Sequence, residues 1–589
     1  MVSLRRLAAA LVLISLLICL ASETPAAEPL EIVVTGLTDD VLKNVREMLT
    51  LPYGLVQNGK VDRLWLERFR NQAEEKVRTA LEPFGYYNAR VTVTLAEVGP
   101  EKYRLLVDVA TGVPVVVAEV NLVLQGPGSA EAALKQRLAV FPLAKGSVLL
   151  QQRYEQAKEE LLTQAHDLGY LEADFSVHEI HIDKPKATAR IALVLETGGR
   201  FFFDGVKITG APDYPETFLR RYLAFKPGDF FSYTRLGETQ SNFINSERFK
   251  EISITPEKPA AGEDRIPVEV DLKPGPTRNL RQGIGYGTDT GARLTARYRD
   301  LNIGDRGHEF FTNLFISEHL KGLATGYIIP DSNDLKSSTS LQLNLQEQDV
   351  TTYLSRLVSL ELNRNRSFGD GRTGTAYIRL QREVYTIGAQ DSSEARLVLP
   401  GLRFSGGRYD NPTRPSRGFH YGFDIRGTHR YLGSDMGLLQ AISGGSYLLP
   451  LPLQLSLYLR ANTGITVLSD PLSDLPPSLR FFAGGDQSVR GYSYQSLGPK
   501  DATGRVVGGK HLLVGSVELT RALFKFWGTS IFYDAGNAFD SFTAISLFQG
   551  AGVGVHYYTP VGALNFYVAR QVNVEEPNFH VHFTVGFEL

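Results

Sequence analysis

From about Asn279 onward, apolar and polar residues alternate in segments of about ten residues, separated by Gly, Asp, Asn and Pro. Leu341-Leu343-Leu345, Phe419-Tyr421-Phe423-Ile425 and Leu455-Leu457-Leu459 show the pattern. It is plainest in the final segment. There Phe579, Val581, Phe583, Val585 and Phe587 share one face, and His580, His582, Thr584 and Glu588 share the other. Successive side chains point to opposite sides of a strand, so each segment presents one apolar face. A single segment of this kind fits a water-exposed sheet equally well. Here the alternation persists for about 310 residues without a helical pattern to cover the apolar faces, which leaves lipid to cover them. An open sheet edge would leave backbone groups unpaired in hydrocarbon, so the sheet must close. At about 19 residues per strand and connection, residues 277–589 accommodate about sixteen antiparallel strands of a transmembrane barrel. An even number returns the last strand to the side where the first began.

Such a barrel requires export. Met1–Arg6 carries two arginines, and Leu7–Ala21 is uncharged and apolar. That stretch is shorter than the about 20 residues a membrane helix needs. Small residues then offer a cleavage site, so residues 1–26 are expected to be a secretory signal peptide. The sole cysteine, Cys19, lies within it and lacks the preceding small residue of a lipoprotein site. A disulfide framework, thiol catalysis and cysteine metal sites are thereby excluded from the remainder. The formal net charge of −2 gives no sign of a nucleic-acid partner.

Residues 30–276 repeat one unit three times at a spacing of roughly 77–90 residues. Each copy opens on a strand closing in glycine: Ile32–Gly36, Leu122–Gly126 and Val206–Gly210. A helix with an apolar face follows. The first carries Val61, Trp65, Phe69, Ala73, Val77 and Leu81; the second Leu150, Tyr154, Ala157, Leu161 and Ala165. The third, with Tyr233, Leu236, Phe243 and Ile244, is weaker. Pro83 with Gly85, and Gly169, end the first two helices. Two strands complete each copy, which end at Gly112, Gly198 and Gly275. This β-α-α-β-β order resembles a POTRA domain, which sets the expected boundaries at 27–112, 113–198 and 199–276. The edge of so small a sheet either templates an extended client segment by strand addition or belongs to a spacer.

The connection at 468–510 is long, and long connections are functional or disordered. Its composition favours packing: Phe481-Phe482-Ala483-Gly484-Gly485 precedes Arg490, and Tyr492-Ser493-Tyr494 follows it. The most economical place for it is the barrel lumen. Arg490 presents five donors in a planar fork and can hold two carboxylates. Glu518 and Asp534 on the flanking strands are the candidates. The alternative is an exposed arginine in a mobile loop.

Val489-Arg490-Gly491-Tyr492 resembles the VRGF/VRGY motif of the POTRA-plus-barrel superfamily, which includes the insertase BamA and the two-partner secretion transporters. Phe532-Tyr533-Asp534-Ala535-Gly536 is similar to its FxDxG partner motif, and the turn Asp410–Gly418 resembles another stretch of those barrels. Tyr492 stands where many members have phenylalanine. The resemblance implies that Arg490, Gly491, Tyr492, Glu518, Phe532, Asp534 and Gly536 form a loop latch. Three POTRA units without a plug helix resemble the TamA family. That resemblance implies an outer-membrane location, a TamB-like inner-membrane-anchored partner and client autotransporters. It also implies assistance to phospholipid traffic toward the outer-membrane lipid.

In such an insertase the working site is the seam between the first and last strands. Gly283, Gly285 and Gly287 share one face of the first strand, and glycine weakens a strand. Poor pairing with Phe579–Phe587 would let the seam open sideways to an incoming strand; alternatively the glycines merely bend the wall. The competing reading is a two-partner-secretion-type pore exporting an extended polypeptide through the lumen. A porin leaves the repeats and Arg490 unexplained. No catalytic set, cofactor motif or metal site is expected, because His178-Glu179-Ile180-His181 and His580-Val581-His582 each lack a third ligand.

Overall fold

The structure, a computed structural model, describes residues 29–57, 60–257, 263–332, 334–411, 415–559 and 562–585. The expected export signal with Cys19, residues 412–414 of the Asp410–Gly418 turn, and Phe587 and Glu588 lie outside the described residues. Among those described, no helix is long and apolar enough to cross a membrane. Two compact units divide the chain. One holds the residues up to Gly205 with Phe225–Arg235 and Pro256–Val268; the other holds Val206–Ala224, Leu236–Thr255 and Glu269 onward.

In the first repeat, Lys102–Ala110 is the central strand, with Leu30–Thr35 parallel on one side and Arg90–Gly99 antiparallel on the other. Two helices, Asp39–Met48 and Arg63–Leu81, cover one face. Asp62 caps the longer helix, accepting from the N–H groups of Leu64 and Trp65. That cap fixes the phase of the apolar stripe. Leu66, Phe69, Ala73, Val77 and Leu81 are buried with Leu105, Val107 and Val109. Two residues of the expected face therefore fall elsewhere. Trp65 is 39% exposed, with Arg68 stacked 5.3 Å above its ring. Val61 belongs to a short strand before the helix.

The second repeat keeps the same order. Thr188–Glu196 lies between Val116–Gln125 and Asp174–Asp183, and helices Ala132–Ala139 and Gln151–Asp167 pack beside the sheet. Tyr154, Leu161 and Ala165 are buried, whereas Leu150 caps the helix and Ala157 is half-buried. The third sheet places Arg265–Pro274 between Phe202–Thr209 and Phe249–Pro256. Its helices are Glu216–Arg220 and Tyr233–Asn245. Leu236 and Phe243 are buried there, but Tyr233 and Ile244 are exposed, which explains the weak helical periodicity of this copy.

Sixteen strands close into one barrel, from Arg278–Gly287 to Phe579–Val585, each antiparallel to the next. Closure leaves no open edge, as the hydrocarbon requires. Leu341, Leu343, Leu345, Leu360 and Ile378 project outward and are exposed. Glu361, Asn363, Gln381 and Glu383 project inward and are buried. Among the inward charges, Arg379 donates to Glu361 at 2.7 Å.

Parts of the third repeat pack on the rim where the first strand begins, called here the near rim. Gly307, in a near-rim turn with φ +71°, lies so close to the Phe218 ring that a Cβ would sit 2.5 Å from it. Arg248 donates to the Gly307 carbonyl at 3.0 Å, and Asn302 donates to the Asp213 carbonyl at 2.9 Å.

Candidate functional site: a loop across the lumen beside the barrel seam

The strand Leu455–Leu468 leads into the long connection at the far rim, and His511–Ala522 leads out of it. The connection folds inward and touches opposite walls. On one side Ser478 bonds Glu383, whose other oxygen accepts from Ser355 at 2.7 Å. Leu475 and Leu479 pack on Leu397, Leu399 and Leu438. Arg480 ties the loop to itself, donating to the carbonyls of Leu475, Val507 and Ser473 at 2.6–3.0 Å.

On the other side stands Arg490, 3% exposed. Its Nε and Nη2 donate to the two oxygens of Asp534 at 2.7 and 2.8 Å, a bidentate pair. Nη1 donates to Glu518 at 2.7 Å, and Nη2 also reaches Ser516 Oγ at 3.1 Å. The Arg490 backbone N–H donates to Asp534 at 3.0 Å. The guanidinium lies flat on the Phe532 ring, 3.5 Å from its centroid, with Tyr567 at 4.7 Å. Two carboxylates, one hydroxyl and one π face thus satisfy a buried cation.

Period-2 geometry explains the arrangement. Ser516 is the cross-strand partner of Asp534, and Glu518 of Phe532, so all four side chains share the lumen face. Gly550, the next partner of Asp534, makes room for the loop: a Cβ there would lie 1.8 Å from the Arg490 carbonyl oxygen. Gly552, opposite Phe532, would place a Cβ 2.6 Å from the Phe532 ring. Gly536 lies on the same strand face, tight against the Leu513 carbonyl. Gly491 takes φ +97°, a left-handed conformation that turns the chain directly after the arginine. Tyr492 then packs edge-on against Phe548 with ring centroids 5.5 Å apart.

Several participants lack a sequence motif. Ser516 joins Arg490 to Asp534. His556 lies 3.4 Å from Glu518 and bonds Ser530 at 2.9 Å. Gly550, Gly552 and Gly554 recur at every second residue of one strand, a signal that marks a wall approached by another backbone.

The same loop reaches both sides of the seam. Gly491 N–H donates to His582 Nε2 on the last strand at 3.2 Å. Asp486 N–H donates to Asp289, in the turn after the first strand, at 2.6 Å. At the seam Tyr286 pairs with Val585, the last described residue of the final strand, and Gly287 with Thr584. Gly285 abuts the Val585 carbonyl, where a Cβ would stand 2.7 Å away; one at Gly283 would meet Thr295 Oγ1 at 2.8 Å. Phe579, Val581 and Phe583 pair with Arg570, Val568 and Phe566 on the preceding strand. Phe583 also accepts from Thr288 N–H at 3.1 Å, but no described pair joins Phe579 or Val581 to the first strand.

Comparison with known proteins agrees with this architecture. The profile of the Omp85 superfamily domain matches residues 284–589, and that of POTRA domain TamA domain 1 matches residues 31–111. The outer membrane protein assembly factor BamA of Nitratidesulfovibrio vulgaris is 22% identical over 397 residues, covering 64% of this chain and 49% of that protein. BamA of Neisseria meningitidis serogroup B is 22% identical over 517 residues, covering 80% of this chain and 63% of that one. The chain thus spans about half the length of the first relative and under two thirds of the second. The crystal structure of BamA from Haemophilus ducreyi lacking POTRA domains 1-3 shares the fold. Its TM-score is 0.64 at 16% identity, over 80% of this chain and 99% of that one. The chain therefore belongs to the Omp85 superfamily, as an outer-membrane β-barrel with POTRA domains in the periplasm.

Proposed function

We propose that this protein is an outer-membrane assembly factor of the TamA type. It accepts strands of client autotransporters and other barrel proteins at a lateral gate between its first and last strands. The observation that carries this reading is the lumen loop that bridges the seam, with Asp486 N–H on Asp289 beside the first strand and Gly491 N–H on His582 of the last. A strand edge exposed when the seam opens can recruit another strand. The match of residues 31–111 to POTRA domain TamA domain 1 supports the finer assignment, and with it a TamB-like periplasm-spanning partner. Arg490, Gly491, Tyr492, Glu518, Phe532, Asp534 and Gly536 form the latch that holds the lumen loop. Gly283, Gly285 and Gly287 with Val585 and the last strand form the gate. A loop anchored on opposite walls weighs against export of a polypeptide through the lumen.

Photo-crosslinking tests the gate. A photoreactive residue at Ile284, which is 79% exposed on the outer face, should capture client strands during assembly. The same residue at Leu343, on the outer face of a wall strand, should capture none. Equal capture at both positions would refute the gate.

A further inference from the structure

Domains of one chain ordinarily meet through exposed, flexible linkers, and relative motion is the default expectation. The segment that enters the second repeat is built differently. Val115 is fully buried, and its backbone bonds to both neighbours. Its N–H donates at 2.8 Å to the carbonyl of Gly85, which ends the helical part of the first repeat. Its carbonyl accepts from the N–H of Leu149, in the second repeat, at 2.9 Å. Two residues on, Val117 donates to the Ser147 carbonyl at 2.8 Å and accepts from the Gly146 N–H at 2.7 Å. Side chains cross the same boundary. Tyr87 of the first repeat packs on the core of the second, and Asn88 donates to the Lys184 carbonyl at 2.7 Å.

The same bonds recur one repeat later. Phe201 donates to the Gly169 carbonyl at 2.8 Å and accepts from the Phe231 N–H at 3.0 Å. Phe203 donates to the Asp229 carbonyl and accepts from the Gly228 N–H, both at 2.8 Å. Corresponding bonds at the two joints thus differ by no more than 0.1 Å, and all of these residues belong to one compact unit. Arg200 pins the second joint further, donating to the Leu168 carbonyl at 2.8 Å and stacking 3.3 Å from the centroid of the Phe230 ring. Glycine permits the close approach. A Cβ at Gly85 would stand 2.9 Å from the Leu149 carbonyl oxygen, and one at Gly169 2.6 Å from that of Phe201. Helix termination explains a glycine at each place. It does not explain why the backbone of the next repeat closes on both.

From these bonds we propose that the first two repeats form one stiff arm, with no hinge at residues 113–117, and that the backbone ladder through Val115 stiffens it. Bending there would break several backbone bonds and leave buried N–H and carbonyl groups unpaired, each at a cost. A partner held by the first repeat is thereby kept at a fixed distance and orientation from the second, and load on either is borne by both. The arm works independently of the seam, so its failure would leave the gate reading untouched.

Two measurements on the whole protein test the arm. The only native cysteine is Cys19, within the expected export signal, so spin labels can be placed through Glu75→Cys and Glu159→Cys, at exposed helix positions of the two repeats. Double electron–electron resonance should give one distance peak, as narrow as that from Glu75→Cys with Thr94→Cys inside the first repeat. Hydrogen exchange read by mass spectrometry should show residues 115–117 and 147–149 slowed at least about a hundredfold relative to an unstructured chain. A distribution broader than the control within one repeat, or unprotected amides at these residues, overturns the arm. Gly85→Ala should widen the distribution and speed exchange at Val115 and Leu149, while residues 105–109 of the central strand stay protected. An unchanged distribution in that variant would overturn the assignment of the stiffness to this joint. If the variant unfolds the first repeat, the wild-type measurements decide alone.

Discussion

Arg490 shows how one side chain organises a loop of about forty residues, a length rare for connections without structure of their own. Its charge is matched from two strands, and removing it leaves Asp534 and Glu518 buried without their cation. Arg490→Ala should therefore destabilise the folded barrel by roughly 3–5 kcal/mol. Urea titration followed by heat-modifiable mobility measures the loss. Arg490→Lys keeps the charge but loses the fork and the stacking on Phe532, so it should fall between wild type and alanine. An equal loss in both variants would mean that charge alone matters little. Gly550 gives an independent test. A methyl group there collides with the Arg490 carbonyl, so Gly550→Ala should destabilise by about 1–3 kcal/mol. At this scale the sequence was partly legible. An arginine amid aromatics and glycines, with acidic residues on the neighbouring strands, points to a buried ion pair. Ser516 and His556 were not legible, because a polar residue on an inward strand position carries no label for its partner across the sheet.

Among elements, the turn after the first strand couples to the loop through Asp289. Its carboxyl is buried and accepts from the Asp486 N–H, with the Asp486 carboxylate nearby and His582 Nδ1 3.9 Å away. Burial, then the side-chain hydrogen bond and charge of the Asp486 carboxyl, push the Asp289 carboxyl up to about 8, against the lowering by the Asp486 N–H. A raised carboxyl binds more protons in the folded state than in the unfolded one. Its contribution is therefore most favourable at acid pH and is lost as pH rises from the ordinary carboxylate range through about 8. Asp289→Asn should gain stability over wild type at pH 8, and the gain should shrink toward pH 4, as melting midpoints across that range will show. A difference independent of pH would exclude titration of Asp289 as the cause. Strand alternation and glycine-ended repeats were readable because period and punctuation are local. The helix phase was read less well. Asp62 as cap starts the helix at Arg63 and brings Leu66 inward in place of Trp65. Register across the seam was equally hidden, since it pairs Thr584 and Val585 with the first strand and carries Phe579 and Val581 past it.

At the level of the whole molecule, POTRA units in the periplasm lead into a barrel whose closing joint adjoins a loop that contacts both of its sides. Asp486 and Gly491 of that loop add to the direct bonds between the first turn and the last strand. Barrel closure and strand number follow from alternation sustained without helices, because lipid permits few other folds. The clients and the periplasmic partner leave no such imprint, since neither sets a period in this chain. The account's central claim is that the seam opens during work, and a reversible lock tests it most directly. Gly287 and Thr584 are cross-strand partners on the lumen side, and the only native cysteine of the sequence is Cys19. Cross-strand neighbours lie within reach of a disulfide. Gly287→Cys with Thr584→Cys should form one in native membranes. Client assembly should stop in the locked protein and return on reduction, with each single variant active throughout. Full assembly by protein shown to be quantitatively locked would contradict the gate.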